Sequence, residues 1–209
     1  TSNDFSKRIM FDGYLAYGFL DQRLKYGGGV MYMVDKDPRR VLGGSFKYDV
    51  EQLGQSQDAF REDFLLAALF RRNPSDKLSM VEEYSAYYEH EWFTGFSNTL
   101  SMTQRSVWNT GRAPFAMDCE TGDCLTLSDV LLTTGFTLKT RFAYHEKYIS
   151  GEFERVSLGA KYPILELNYT YGPPDVFGSQ FEFHTLQFGI KHWFNVMSLG
   201  WSKYSIETG

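Results

Sequence analysis

Hydrophobic and polar side chains alternate along most of this chain with the two-residue period of β-strands. In residues 9–19, for example, Ile9, Phe11 and Leu15 share one face and alternate with smaller or more polar residues. The pattern returns between turn-forming segments and predicts nine strands. These are residues 9–19, 24–35, 42–51, 80–93, 98–109, 125–145, 152–171, 181–193 and 196–206.

The length of these strands and the polarity of their second face favour a membrane protein. Strands in soluble sheets commonly have about five or six residues, whereas strands that cross a bilayer need roughly 9–11. Aromatic residues make up 17% of the chain, and aromatic rings favour both strands and membrane interfaces. We therefore predict an all-β, antiparallel up-and-down transmembrane β-barrel whose apolar face contacts lipid and whose polar face lines a lumen. A soluble lipocalin-like binder is the alternative, because alternation alone does not say which face meets water.

The connections between the predicted strands fall into a short set and a long set. Short turns on one side and long loops on the other are typical of outer-membrane barrels, with the short turns in the periplasm. Residues 55–72 have near-helical spacing and predict a short amphipathic helix, which we expect to dock a partner or to fold back into the lumen. The predicted short turns are Lys36–Arg39, Thr94–Ser97 and Lys147–Gly151, and the long loops are residues 54–78 and 111–124.

The predicted strand count suggests part of a larger barrel. Bacterial single-chain barrels have an even number of strands, whereas nine are predicted here. The sequence ends at Gly209 without the terminal aromatic residue that many such barrels carry. We expect residues 1–209 to form part of one outer-membrane barrel domain.

The two cysteines lie close together in the polar segment Cys119–Cys124, within the 111–124 loop. Two thiols at this spacing on a turn can reach disulfide geometry if the loop folds back, and a disulfide would place the loop outside the cytoplasm. Two unrelated free thiols are the alternative. No second Cys/His pair lies at zinc-ligand spacing, so no metal site is predicted.

A further pattern consists of motifs spread along most of the chain: Glu51–Ser56, Leu69–Leu78, Tyr88–Phe93 and Gly95–Thr99, with Gly13-Tyr14 through Lys25-Tyr26-Gly27 and Arg141–Tyr144 with Glu146. Together these motifs resemble a Bacteroidetes family of outer-membrane proteins. Members of that family carry an N-terminal carboxypeptidase-regulatory-like domain followed by a large barrel of unknown function. The resemblance implies a longer parent protein and assigns no catalytic residue, because the domain's name refers to a small β-sandwich.

Charged residues on the polar face form the candidate site. A net charge of −5 with no long Lys/Arg run argues against a nucleic-acid partner. Paired carboxylates can do acid–base work or bind a cation, but charges inside a barrel commonly pair across strands, and we favour a luminal ion-pair network. No motif for nucleophilic, zinc-hydrolase or phosphate-loop chemistry is present, so no catalytic residue or cofactor is predicted. The predicted cluster contains Glu83, Glu89, Glu91, Lys47, Lys139 and Arg141.

Three functions follow from this interpretation. The first is a non-enzymatic barrel in the outer membrane of a Gram-negative bacterium, a structural or assembly component that contacts lipid and other envelope proteins. The second is a passive or ligand-specific pore. The third is a barrel enzyme that uses the carboxylate cluster.

Overall fold

The structure is a computed structural model, and it describes residues 7–19, 22–52, 78–109, 115–117, 126–195 and 201–209. Thirteen strands and one short 3-10 helix, Val176–Gly178, form this part of the chain. An all-β antiparallel fold is thus confirmed. The strands are β1 Ile9–Gly18, β2 Arg23–Lys36, β3 Arg39–Gln52, β4 Leu78–Phe93, β5 Phe96–Asn109, β6 Phe115–Met117, β7 Thr126–Ser128, β8 Val130–Phe142, β9 Glu146–Ser150, β10 Arg155–Ala160, β11 Ile164–Gly172, β12 Phe183–Asn195 and β13 Trp201–Thr208.

Nine of these strands form one large sheet in the order β1-β2-β3-β4-β5-β8-β11-β12-β13. Every neighbouring pair is antiparallel, and each strand pairs with the next long strand along the chain. The sheet is open, because β1 and β13 do not pair with each other within the described residues. The meander therefore agrees with the prediction, whereas a closed barrel is not present in this part of the chain.

The pairing register separates the side chains of the sheet into two faces. Tyr26, Tyr48 and Glu82 occupy one row across β2, β3 and β4, while Lys47 and Glu83 pair on the opposite side. We call the first side the apolar face and the second the polar face. Large exposed side chains of the apolar face include Phe11, Leu15, Tyr17, Leu42, Tyr84, Tyr88, Trp92, Leu100, Leu138, Leu165, Leu186, Phe188 and Ile206.

Most buried side chains of the large sheet lie on the polar face, while Met80 and Thr134 are buried on the apolar face. Val41, Val81, Val107 and Ile164 point to the polar side, and each is at most 4% exposed. The carboxylate residue Glu91, on the same side, is 5% exposed. Because these residues lie on strands from β3 to β11, the sheet shelters its polar side along most of its width.

The connection between β8 and β11 departs from the prediction. Residues 152–171 were expected to form one strand after a short turn at Lys147–Gly151, but β9 and β10 form a separate two-stranded hairpin. The chain leaves the large sheet after Phe142 and re-enters it at Ile164. The local alternation is real, since β10 pairs with β9, but its partner strand is local and is not part of the large sheet.

The hairpin β9–β10 lies across the polar face. Phe153, at its turn, is 3% exposed and packs with Met33 and Val41 of β2 and β3. At the other end of the hairpin, Ala160 packs with Ile164 and with the partly buried Trp193 of β12. The hairpin therefore bridges strands that are far apart in the sheet order.

Candidate functional site

Two groups of ion pairs occupy opposite ends of the polar face. The first, which we call the far-end cluster, contains Lys47, Glu51, Glu83 and Arg105. Lys47 Nζ lies 2.5 Å from Glu51 Oε1 and 3.6 Å from Glu83 Oε2. Arg105 contacts Glu51 through Nη2 and Glu83 through Nε. Two cations and two carboxylates thus neutralise one another across β3, β4 and β5.

The second group lies beneath the hairpin, close to the β2–β3 and β4–β5 turns. We call it the turn-end cluster, and its residues are Arg39, Glu89, Glu91, Arg141, Glu146 and Arg155. It combines side chains of the large sheet with two from the hairpin, Glu146 of β9 and Arg155 of β10. Three guanidinium groups and three carboxylates give it no net formal charge.

Glu91 is the centre of the turn-end cluster. Its Oε2 accepts hydrogen bonds from Arg155 Nη1 at 2.7 Å and from the backbone N–H of Arg39 at 3.3 Å. Its Oε1 accepts one from the backbone N–H of Gly95, also at 3.3 Å. A buried carboxylate requires such partners, because the cost of removing it from water is otherwise uncompensated. Glu91 therefore joins both turns of the sheet to the hairpin.

A second link joins the other strand of the hairpin to β8. Arg141 Nη2 donates to Glu146 Oε1 at 2.8 Å, and Ser157 Oγ donates to the same oxygen at 2.6 Å. Burial acts to raise the pKa of Glu146, but these two hydrogen bonds and the charges of Arg141 and Arg155 outweigh it and hold that pKa below its ordinary value. Glu146 is therefore ionised in the folded hairpin at neutral pH.

The ion pairs continue from Arg141 toward the β13 edge of the sheet. Glu166 of β11 lies 3.7 Å from Arg141 Nε and 3.1 Å from Lys191 Nζ of β12. Lys191 also lies 3.8 Å from Glu207 of β13. The turn-end charges thus form a chain of contacts across four strands.

A cavity of about 340 Å³ lies among the residues of the turn-end cluster. Its wall also includes Ser97 of β5 and, from the hairpin, Tyr148 and Ser157. The guanidinium of Arg155 lies over the Tyr148 ring, 4.5 Å from its centroid. The cavity is therefore enclosed partly by the sheet and partly by the hairpin, and its lining is polar and charged.

A band of small hydroxyl residues separates the two charged groups. Ser45 and Ser85 hydroxyls lie 2.8 Å apart on β3 and β4, and the Thr137 and Thr170 hydroxyls lie 2.8 Å apart on β8 and β11. Lys139 follows Thr137 on the same face of β8, closer to the turn-end cluster, and it makes no ion pair with any described residue. The middle of the polar face thus carries mainly neutral hydroxyl residues, with Asp12 and Lys139 as charged side chains.

The structure divides the predicted charge cluster between these two groups. Lys47 and Glu83 belong to the far-end cluster, while Glu89, Glu91 and Arg141 belong to the turn-end cluster. Their main partners were not among the predicted site residues. Glu51 and Arg105 could have been found from the alternation along β3 and β5, whereas Arg39, Glu146 and Arg155 reach the site only through a turn and the folded-back hairpin.

The chemistry open to these carboxylates is limited by their contacts. Glu89 Oε1 pairs with Arg39 Nε at 3.2 Å, and both oxygens of Glu91 accept hydrogen bonds. Within the described ranges, no three His, Cys, Asp or Glu side chains are arranged to hold a metal ion. No helix of that same part of the chain is long and apolar enough to cross a membrane. The cluster is best described as an ion-pair network.

Two predicted features lie outside the described residues. The Cys119–Cys124 pair is one, and its disulfide stays a prediction. The amphipathic helix of the 54–78 loop is the other.

Comparison with known proteins gives one match. Residues 125–209 match the profile of the C-terminal domain of a family of unknown function (DUF5686). No curated protein and no solved structure matches the chain. The match covers β7, β8, the hairpin and β11–β13, and it assigns no activity to them.

Proposed function

We propose that this chain forms part of the wall of an outer-membrane β-barrel in a Gram-negative bacterium, with a structural or assembly role and no enzymatic activity. The observation that carries the proposal is the exposure of the apolar face. Leu100 is 57% exposed, Leu186 61% and Ile206 61%, on three different strands of one sheet. A soluble protein rarely leaves an apolar surface of this extent uncovered, whereas a bilayer would cover it.

The size of the apolar face fits a bilayer. Leu132 and Phe142 both point to this face at opposite ends of β8, ten residues apart. Ten residues span about 33 Å along a strand, which is about 25 Å along the axis of a barrel whose strands tilt by about 40°. An apolar band about 25 Å tall is typical of outer-membrane barrels.

The proposal also places a requirement on the two edges of the sheet. The outer edges of β1 and β13 carry backbone N–H and C=O groups with no strand partner among the described residues. Such groups are too costly to leave unpaired in hydrocarbon, so membrane sheets close on themselves. We therefore propose that further strands pair with both edges and close the barrel, as expected for the Bacteroidetes family that the sequence motifs resemble.

Native tryptophans offer a direct test of which face meets lipid. Trp92 lies on the apolar face and is 62% exposed, while Trp193 lies on the polar face and packs with Ala160. Two variants of the intact protein are reconstituted in vesicles of brominated phosphatidylcholine. One keeps Trp92 and the other keeps Trp193 as the single tryptophan of this chain. Bromine should quench the fluorescence of Trp92 and leave that of Trp193 nearly unchanged. Equal quenching of the two, or stronger quenching of Trp193, would refute the proposal.

A pore is the second candidate, and the charged cavity of about 340 Å³ on the polar face favours it. Conductance in planar bilayers separates the two functions. A structural barrel whose interior is occluded should pass little current, whereas a passive pore should give steady single-channel currents. Purification from native membranes would then identify the envelope proteins that a structural barrel contacts.

A further inference from the structure

The hairpin β9–β10 is the feature of the polar face that the proposed barrel wall does not explain. A short turn would be sufficient to connect β8 to β11, because Phe142 and Leu165 are paired neighbours in the sheet. The chain instead adds a bulged hairpin between them, with a register shift between Ser157 and Gly159. We therefore expect the hairpin to have a role beyond connecting β8 to β11.

We propose that this hairpin is an internal plug that occludes the barrel interior at its short-turn end. The inference rests on the proposed function, since only a closed wall has an interior to occlude. Both ends of the hairpin are fixed to the polar face, through Phe153 at β2 and β3 and through Ala160 near β12. It thus crosses the space that the curved wall would enclose.

The ion pair of Arg155 with Glu91 is the latch of this plug. Arg155 Nη1 donates to Glu91 at 2.7 Å, and Nη2 donates to the backbone carbonyl of Lys36 at 3.4 Å. One hairpin side chain thus contacts β4 and the end of β2. Charge-assisted hydrogen bonds of this kind are stronger than neutral ones, and a buried carboxylate that loses its partner is costly.

The apolar anchor at Phe153 gives the plug a second point of attachment that is independent of charge. Phe153 packs on Met33 and Val41, with Met10, Met31 and Tyr87 around them. Val41 is 1% exposed beneath it. The exposure of the Val41 position to water therefore shows whether the hairpin is in place, because water reaches this position when the hairpin moves away from the sheet.

The experiment compares two hairpin variants that lose the same charge. Arg155→Gln removes the latch, and Lys147→Gln removes an exposed β9 cation that makes no ion pair with a described residue. Each is made in the intact protein with Val41→Cys, after Cys119 and Cys124 are replaced by serine. Labelling of Val41→Cys by a water-soluble maleimide is measured in detergent, and single-channel conductance is measured in planar bilayers.

Arg155→Gln should speed labelling by at least about tenfold, because one charge-assisted hydrogen bond is sufficient to change a local opening equilibrium by that factor. It should also raise the conductance, while Lys147→Gln should match the parent in both measurements. Phe153→Ala leaves the ion pairs in place and should act in the same direction. If Arg155→Gln does not fold, the conductance of Phe153→Ala serves as the test, because loss of the Phe153 ring itself uncovers Val41.

Two results would overturn the plug. Unchanged labelling in Arg155→Gln and Phe153→Ala would show that neither contact holds the hairpin. Faster labelling with unchanged conductance would show that the hairpin moves without blocking a passage. Failure of the proposed function is recognised separately, by the tryptophan quenching, because the labelling assay requires no membrane.

Discussion

Replacing Leu100 with arginine tests the membrane proposal by its energetic cost. Leu100 lies on the apolar face of β5, four residues from the strand's first residue, Phe96. Four residues span about 13 Å along the strand and about 10 Å along a barrel axis at the usual tilt. Half of an apolar band about 25 Å tall is about 12 Å, so Leu100 lies close to the bilayer midplane in the proposed barrel.

Arginine on the lipid face at the midplane destabilises a barrel by about 2–4 kcal/mol, a factor of roughly 30 to 700 in the folding equilibrium. In water the same change at a side chain that is 57% exposed should cost no more than about 0.5 kcal/mol. Ser101→Arg is the matched control, because Ser101 is the next residue of β5 and faces Tyr87 and Thr137 on the polar side.

The assay is urea unfolding of the intact protein in phosphatidylcholine vesicles. We expect Leu100→Arg to lower the unfolding midpoint strongly and Ser101→Arg to leave it within the error of the parent. Similar midpoints for all three proteins would mean that Leu100 does not contact lipid. A larger loss for Ser101→Arg than for Leu100→Arg would mean that the polar face is the one in hydrocarbon.

Two further predictions concern the β4–β5 turn and the plug. Gly95→Ala should destabilise the fold by about 1–3 kcal/mol in the same unfolding assay. The reason is that Gly95 has a φ of +91°, and an added Cβ would lie 2.3 Å from the carbonyl oxygen of Ala143. Gly189→Ala is the control and should behave like the parent, because its Cβ would have only ordinary contacts. The pKa of Glu146 is lower in the folded hairpin than in the unfolded chain, so its contribution is complete above the ordinary carboxyl pKa of about 4.3 and is lost as the pH falls through the folded value. Maleimide labelling beneath the hairpin, corrected for the pH dependence of the thiol reaction, should therefore increase on acidification below that ordinary pKa. Glu146→Gln should reduce this dependence, with the remainder coming from the Arg155–Glu91 pair, and an unchanged pH profile in Glu146→Gln would contradict the prediction.

The large sheet could be predicted because its determinants are local. A period of two fixes which side chains share a face, so Lys47 and Glu83 were assigned to one side without knowledge of their pairing. The turns at Pro38 and Gly95 lie where turn residues interrupt the alternation. The nine predicted strands correspond to the nine strands of the sheet, although β8 and β11 are shorter than their predicted segments, and Thr126–Ser128 pairs with β6 in a separate sheet.

The hairpin could not be predicted in the same way, because local alternation does not identify the partner of a strand. Residues 155–160 alternate as a strand of the large sheet would, and only their pairing with β9 removes them from it. Their position depends on contacts such as Arg155 with Glu91, which are 64 residues apart in sequence. Only part of the turn-end cluster could therefore be predicted from the sequence. Glu89, Glu91 and Arg141 lie on long predicted strands, whereas Glu146 and Arg155 reach the cluster because the hairpin folds onto the polar face.

The distribution of burial is the strongest argument against a soluble version of this sheet. In a soluble protein the apolar face would be covered and the charged face would meet water. Here the sheltered side carries Glu91, 5% exposed, beside Val81 and Val107, while Leu100 and Leu186 on the other side are more than half exposed. Burying ion pairs while exposing leucine is unfavourable in water on both counts. The same arrangement is favourable where hydrocarbon surrounds the apolar face, as in the proposed barrel.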